Sequence, residues 1–244
     1  MEYKSVNIQL GSYAIMYPSS HQIALTLPEV VSATAAGPAF EGSGLSCGIG
    51  SVSGAISSVE LKGRIARYKT IDNKLPIGLC GTGAIDLLAE LLRTNRVNSE
   101  GLLNEEYRQK GYEITNRAMN DAGRIFITQS DIRQLQLAKA AIRAGITVLI
   151  ERYGCEYDQI QHFYIAGGMG YHLNIENATK IGLIPEELAD KVVLIGNSSL
   201  GGSVKYLREN RMEELETIVK NCRTINLAEQ DGFQDILLSQ INFK

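Results

Sequence analysis

The sequence contains no hydrophobic run that approaches the roughly 20 apolar residues needed by a membrane-spanning helix. Its first residues also lack the basic and then apolar layout of a signal peptide. We therefore expect a cytoplasmic protein without a membrane partner. The 24 lysine and arginine residues are scattered along the chain, which argues against a nucleic-acid-binding surface.

Closely spaced metal-binding cysteines are missing as well. The four cysteines lie far apart in the sequence, at Cys47, Cys80, Cys155 and Cys222. Zinc ribbons and iron–sulfur proteins need cysteines within a few residues of one another. We therefore expect reduced structural thiols, no metal site and no iron–sulfur cluster in this chain.

Strand-like and helix-like segments alternate along the chain, which is typical of an α/β fold. The spacing of apolar residues predicts helices over residues 83–94 and from Ser130, as the N-cap, to Gly154. A helix, a short strand and an amphipathic helix are predicted to end the chain over residues 211–244. Predicted strands lie at residues 5–15, 22–33, 55–71, 162–166 and 192–196.

Glycine is abundant, with 24 residues against 5 prolines, and three glycine-rich turns connect a strand to a helix. They lie around residues 78–86, 165–178 and 194–207. Such turns suit phosphate, because glycine lets backbone N–H groups approach a ligand and the helix N-terminus carries partial positive charge. The chain has neither the GxGxxG nor the GxxxxGK[ST] motif. The alternative, that each glycine only permits a tight turn, stays open.

An ordered series of short motifs resembles the ASKHA-type (acetate and sugar kinase, Hsc70, actin) ATPase domain of reductive activators of corrinoid proteins. The motifs are TAAGPAFEG from Thr34, PIGLCGTG from Pro76, ITQSDIRQLQLAKAAI from Ile127, IAGGMG from Ile165, IGLIP from Ile181 and IGNSSL from Ile195. The resemblance implies the second lobe of an actin-like, ribonuclease H-like α/β fold, with a mixed sheet flanked by helices. Within it, residues 1–33 are expected to be divergent N-terminal strands and residues 34–244 the lobe itself.

In such a fold two lobes close on ATP and Mg²⁺. The resemblance therefore implies a loop on the adenosine side that contains Gly167, Gly168 and Gly170. The segment Gly81-Thr82-Gly83 either lines the nucleotide cleft or forms a packing turn. Gly37 lies in the small-residue loop that approaches the phosphates, and Glu41 either positions water or Mg²⁺ or stabilises that turn.

The long predicted helix carries one polar stripe at spacings of three and four residues. Its members are Gln136, Lys139 and Arg143. Gln136 and Lys139 are candidate nucleotide contacts, and the alternative is a helix face directed to solvent.

The departures from the family pattern concern the phosphate loop and the parts of the relatives that are not visible in this sequence. Relatives carry a loop resembling Asp-Ile-Gly-Thr-Asn just before the TAAGPAFEG segment, where this sequence reads YPSSHQI over residues 17–23. No aspartate precedes Asp72. A first lobe and a ferredoxin-like segment are not visible either, so we expect a fragment, a divergent stand-alone lobe or half of a split protein. Self-sufficient ATP hydrolysis, which depends on positioned metal and water, is not expected of it.

Two functions remain open. In the first, the chain is the ATP-binding lobe of an activator that couples nucleotide to low-potential electron transfer to a Co(II) corrinoid protein. In the second, it is a non-catalytic assembly or interaction module derived from that lobe. The expected partners are a corrinoid protein and a separate chain that bears the ferredoxin or the first lobe, and a homodimer is also open. A small-molecule kinase of the same superfamily would need a transfer-site carboxylate that is not visible.

Overall fold

A larger sheet of six strands, a smaller sheet of three strands, a separate two-stranded ribbon and the helices packed on the two larger sheets make up the described fold. The computed structural model describes residues 4–9, 23–27, 30–115, 124–167, 172–209 and 212–243. The strands are β1 (Lys4–Gln9), β2 (Ile23–Leu27), β3 (Val30–Thr34), β4 (Ala55–Lys62), β5 (Ile65–Thr70), β6 (Gly78–Leu79), β7 (Tyr112–Glu113), β8 (Phe126–Ile127), β9 (Ile160–Ala166), β10 (Val192–Gly196) and β11 (Arg223–Ile225). The helices are α1 (Gly81–Arg93), α2 (Glu105–Arg108), α3 (Gln129–Tyr153), α4 (Ile175–Lys180), α5 (Ser198–Glu209), α6 (Met212–Asn221) and α7 (Phe233–Ser239).

The larger sheet has six strands in the order β10-β9-β1-β2-β3-β11. The first three strands of the chain form an antiparallel meander. Strands β9 and β10 are parallel to β1, and β11 is parallel to β3. Five strands therefore end at the same edge of the sheet, and only β2 runs the other way. The predicted mixed sheet with flanking helices is confirmed.

The strands before residue 34 pair directly with the later part of the chain. Strand β1 has β2 on one side and β9 on the other, and β3 itself spans residues 30–34. The boundary predicted between residues 33 and 34 stays a prediction. Strand β1 covers residues 5–9 of the strand predicted at residues 5–15, and residues 10–15 lie outside the described residues.

Helix α3 is the longest helix, with 25 residues, and it packs on β2 and β3. Thr34 donates a hydrogen bond of 2.9 Å to the carbonyl oxygen of Ala141, which joins β3 to the middle of the helix. The predicted N-cap at Ser130 is wrong by two residues. Thr128 is the cap, because its Oγ1 accepts a hydrogen bond from the Asp131 N–H while the Asp131 carboxylate accepts one from the Thr128 N–H.

The smaller sheet has three strands in the order β5-β4-β6, and α1 packs on β4. Strand β6 pairs only with Ala55 and Ile56, so most of that edge of β4 has no neighbouring strand in the described part of the chain. Two carboxylates of α1 accept hydrogen bonds from this edge where a neighbouring strand would otherwise do so. Glu90 accepts a 2.6 Å hydrogen bond from the Leu61 N–H, and Asp86 accepts a longer one, of 3.4 Å, from the Val59 N–H.

A substitution at Glu90 tests this edge. Its hydrogen bond with Arg93 holds the pKa of Glu90 below its ordinary value, and the Leu61 N–H acts in the same direction. Because the pKa is lower in the folded than in the unfolded chain, ionised Glu90 stabilises the fold above its unfolded pKa. That stability is lost as the pH falls through the folded value. We expect Glu90→Gln to lower the free energy of unfolding at pH 7 by about 1–2 kcal/mol.

The pH dependence separates this contribution from a general loss of packing. Thermal unfolding should show the difference between wild type and Glu90→Gln shrinking as the pH is lowered from about 5 to about 3. Exposed Glu105 on α2 supplies the matched control, Glu105→Gln, which should leave stability nearly unchanged. A difference at Glu90 that stays constant over this pH range would contradict the proposed role.

The last part of the chain contains helices that differ in burial. Helix α5 has no buried residue, although it follows directly on β10. In contrast, α7 packs against α3. No helix in the described part of the chain combines the length and apolarity needed to cross a membrane.

Candidate functional site

The candidate site lies at the sheet edge where β1, β9 and β10 end side by side. Gln9 pairs with Ala166, and Ala166 pairs with Gly196 in the register of the three strands. Neighbouring β1 and β9 are parallel, whereas β1 and β2 are antiparallel. Ligands of open α/β sheets bind beyond the carboxyl ends of strands, where the connections leave in opposite directions. The edge that carries Gly167 is therefore the part of this fold suited to a ligand.

A direct hydrogen bond joins the turns that follow β9 and β10. The N–H of Gly167 donates to the carbonyl oxygen of Gly196 at 2.7 Å. Gly167 has φ +99° and Gly196 has φ +63°, a backbone region that residues with a side chain rarely adopt. The two turns thus present backbone without Cβ atoms. Gly168 and Gly170, predicted beside Gly167, lie outside the described residues.

Helix α5 begins directly after the second of these turns. The side-chain oxygen of Asn197 accepts a 3.0 Å hydrogen bond from the Leu200 N–H and so stabilises the first turn of the helix. Partial positive charge at this helix end favours an anionic group. The edge therefore combines half-buried glycine backbone with a helix N-terminus, which is suited to a nucleotide.

Gly37 and Glu41 follow β3, which ends at the same edge of the sheet. Gly37 is exposed, and a Cβ atom built on it would meet no atom within 4 Å. Glu41 is partly buried, and its N–H donates a 2.9 Å hydrogen bond to the carbonyl oxygen of Pro38. Gly37 is therefore open to a ligand, whereas the backbone of Glu41 closes a turn.

The segment Gly81-Thr82-Gly83 is buried at the start of α1. The hydroxyl of Thr82 donates a 2.9 Å hydrogen bond to the carbonyl oxygen of Ser57 on β4. A Cβ atom on Gly83 would lie 2.2 Å from the carbonyl oxygen of Ile56. Through these contacts the start of α1 packs closely on the smaller sheet. They favour a packing turn for Gly81-Thr82-Gly83 over a role in lining the nucleotide cleft.

Gln136 and Lys139 face the end of the chain. Each is only 1% exposed, so the alternative of a solvent-directed stripe is wrong. The Lys139 ammonium donates to the carbonyl oxygens of Gln240 and Asn242 at 2.5 and 2.7 Å. The Gln136 amide donates to the carbonyl oxygen of Ile241 at 3.3 Å. Residues 240–243, called here the C-terminal segment, therefore cover this stripe of α3.

Arg143 continues the same stripe and is 9% exposed. Its guanidinium carbon lies 5.8 Å from the centre of the Tyr157 ring. Its NH1 group is buried, with no hydrogen-bond partner in the described part of the chain. Arg143 is thus held by an aromatic ring and is not placed at the sheet edge that carries Gly167.

The described ranges contain no metal-binding cluster, and the pKa of one of the thiols is raised. No group of three or more histidine, cysteine, aspartate or glutamate residues there could hold a metal ion. All four cysteines are free. Burial, and then the charge of Asp131, raise the pKa of Cys47 to about 12, so its thiol stays protonated at neutral pH.

An open cavity of about 600 Å³ lies at the carboxyl end of α1. It is lined by Ala89, Leu92, Arg93, Asn95, Val97, Asn98, Ser99 and Lys180. None of these is a predicted site residue. Two of its cations are already paired within the chain, Arg93 with Glu90 and Lys180 with Glu176.

Comparison with known proteins gives matches along nearly the whole chain. The family described as the C-terminal domain of RACo, the ASKHA domain, matches residues 24–244. Corrinoid activation enzyme RamQ of Eubacterium limosum is 35% identical over 231 residues, which cover 87% of this chain and 39% of that protein. The Co(II) methylated amine-specific corrinoid protein reductase of Methanosarcina barkeri is 26% identical over a 254-residue alignment, which covers 93% of this chain and 45% of that protein.

A solved structure is similar over the full chain. The reductive activator for corrinoid, iron–sulfur protein matches with a TM-score of 0.86 and 31% sequence identity. The match covers 100% of this chain and 40% of that one. The chain thus spans less than half the length of the proteins it resembles.

Proposed function

The chain belongs to the family of RACo C-terminal, ASKHA domains, and from that premise we propose that it is the ATP-binding lobe of a reductive activator of a corrinoid protein. Membership of this family confirms the predicted resemblance and the predicted actin-like α/β lobe. The observation that carries the proposal is the hydrogen bond between Gly167 and Gly196 at the ends of β9 and β10. It holds two glycine turns together at the sheet edge where a nucleotide is expected.

The residues at this edge fit an adenine nucleotide in part. Gly167, with its neighbours Gly168 and Gly170, would meet the adenosine through backbone that carries no side chain. Gly37, which faces open space, and Glu41 would lie on the phosphate side. Gly81-Thr82-Gly83, Gln136 and Lys139 have their polar groups engaged within the chain, so we give them supporting roles. When bound, ATP supplies the free energy for delivering a low-potential electron to a Co(II) corrinoid protein.

By sequence we propose a second candidate for the counterpart of the phosphate loop, Gln9-Leu10-Gly11-Ser12-Tyr13, beside the segment at residues 17–23. Gln9 is the last residue of β1, and residues 10–22 lie outside the described residues. In this alignment Gln9 replaces the first aspartate of the Asp-Ile-Gly-Thr-Asn pattern, and Gly11 keeps its glycine. Mg²⁺ is bound by carboxylates together with substrate phosphates, and glutamine has no charge to offer it. Gln9 therefore supports a lobe that binds ATP without holding the metal.

Calorimetric titration with ATP tests the site and the assignment together. We expect wild type to bind ATP with similar affinity in Mg²⁺ and in EDTA. The variant Gln9→Asp restores the carboxylate, so we expect Mg²⁺ to tighten its binding by about tenfold. Wild-type binding that itself depends strongly on Mg²⁺ would contradict the assignment of Gln9.

The second candidate function is a non-catalytic assembly module. It is favoured by the uncharged Gln9 and by the lack of a metal-binding cluster among the described residues. Folded chain that binds no ATP at millimolar concentration would refute the ATP-binding lobe and support this module. In either case we propose that residues 34–244 carry the recognisable lobe and that the earlier strands complete its sheet.

The proposed partners follow from the same premise. They are a corrinoid protein and the portion of the activator that relatives carry beyond this lobe, on the same chain or a separate one. That portion includes the first lobe and the ferredoxin-like segment, and a homodimer is the third proposal. Size-exclusion chromatography with a Co(II) corrinoid protein, with and without ATP, measures the first of these interactions.

A further inference from the structure

Strand β5 is an open edge of the smaller sheet. Its inner side pairs with β4 from Ile56 and Thr70 to Lys62 and Ile65. No strand in the described part of the chain pairs with its outer side, which leaves backbone N–H and C=O groups available there. The opposite side of β4 differs, since β6 and the carboxylates of α1 cover it. The fold therefore protects one edge of this sheet and leaves the other open.

One face of β5 packs against the core and fixes the position of the open edge. Ala66 and Tyr68 of β5 pack against the hydrophobic core. The alternate residues Ile65, Arg67 and Lys69 point away from it, and Ile65 is 68% exposed. A partner would thus meet an ordered strand, with no ordering of β5 required on binding.

The charge of this edge is opposite to that of the whole chain. Residues 62–74 carry five cations against the single anion Asp72, a net charge of +4, whereas the chain carries −3. The cations, called here the basic edge, are all exposed, and they are Lys62, Arg64, Arg67, Lys69 and Lys74. Lys62 forms an ion pair of 3.5 Å with Glu60. Within the described residues, no ion pair engages the other four.

We propose that the basic edge binds an acidic, extended segment of a partner protein, which adds to the sheet beside β5. The open N–H and C=O groups would pair with the backbone of the segment, and the cations would select its acidic side chains. Two copies of β5 would bring like charges together, which disfavours self-pairing. A nucleic acid would satisfy the cations but has no peptide backbone to pair with the strand. This inference is independent of ATP binding.

Lysine and arginine on an edge strand also have a protective explanation, because charged edges prevent aggregation through strand pairing. That explanation predicts no affinity for acidic strands. It further predicts that variants without the cations aggregate. The proposal predicts that wild type has this affinity and that variants without the cations lose it, so binding measurements distinguish the two explanations.

Fluorescence anisotropy tests the proposal with the whole chain and a fluorescein-labelled octapeptide of alternating glutamate and valine. We expect binding that weakens at least about tenfold in the double variant Arg67→Glu/Lys69→Glu. Lys110 and Arg152 are exposed cations on other elements, and reversing both to glutamate should leave binding unchanged. Circular dichroism checks that each variant is folded.

Two further probes identify the recognised chemistry. An octapeptide of alternating glutamate and proline has the same charge but few N–H groups, and we expect it to bind at least about tenfold more weakly. Equal binding of the two peptides, or tighter binding of a single-stranded oligothymidine, would overturn strand addition. Failure of wild type to bind the glutamate–valine peptide, together with aggregation of the neutral variant Arg67→Gln/Lys69→Gln, would establish the protective explanation instead.

Discussion

Replacing Gly83 by alanine is expected to destabilise the chain by more than about 3 kcal/mol. The new Cβ atom would lie 2.2 Å from the carbonyl oxygen of Ile56 and 3.0 Å from its carbon. Both are backbone atoms of β4, so neither can turn aside as a flexible side chain would. Helix α1 must move away from the sheet, which loosens a helix whose first eleven residues are all buried. Urea unfolding measures the loss directly.

Gly50 provides the matched control, since a Cβ atom built on it meets nothing within 4 Å. Gly50→Ala should stay within about 0.5 kcal/mol of wild type. The outcome at Gly83 also decides between the two roles considered for Gly81-Thr82-Gly83. A stable Gly83→Ala variant with weakened ATP binding would reinstate these residues as part of the nucleotide cleft.

Replacing Lys139 by alanine is expected to lower the free energy of unfolding by about 3–5 kcal/mol. The buried ammonium donates to the carbonyl oxygens of Gln240 and Asn242 and lies 5.4 Å from the centre of the Phe243 ring. Its removal takes the donor away from two partly buried hydrogen bonds and opens a cavity beside α3. The C-terminal segment should then detach, which limited proteolysis detects.

A second measurement separates the hydrogen bonds between Lys139 and the C-terminal segment from other effects of the substitution. Deleting the chain from residue 240 onward removes both acceptors, so Lys139→Ala should cost less in the truncated chain than in the full one. Lys180→Ala, at an exposed ion pair with Glu176, is the control and should have little effect. If Lys139→Ala unfolds like wild type but binds ATP more weakly, Lys139 is a nucleotide contact after all.

The sequence motifs predict the architecture well, because it follows from local signals. The alternation of strands and helices predicts the α/β class, and the resemblance of the ordered motifs to the ASKHA-type domain implies the mixed sheet and the actin-like lobe. The position of the α3 N-cap could not be predicted from the sequence, since Thr128 and Ser130 are both able to cap the helix. Only the reciprocal bonds between Thr128 and Asp131 decide between them.

The burial of Lys139 could not be predicted from the sequence, for a different physical reason. The carbonyl groups that hold Lys139 lie 101 and 103 residues further along the chain, and no periodic pattern encodes contacts at that separation. The sequence does carry an overlooked signal in α1, where Asp86 and Glu90 interrupt an apolar helix one turn apart. Buried carboxylates need donors, and the uncovered edge of β4 supplies them.

The exposure of α5 has a consequence for how the proposed site would respond to a ligand. Strand β9 belongs to the main core through Phe163 and Ile165, whereas α5 buries no residue. Segments with few buried contacts open at a much lower free energy than the core. Strand β9, on one side of the site, thus opens only when the core opens. Helix α5, on the other side, is the part that a bound ligand stabilises most. Ligand affinity and the ordering of α5 are therefore thermodynamically linked, and each strengthens the other.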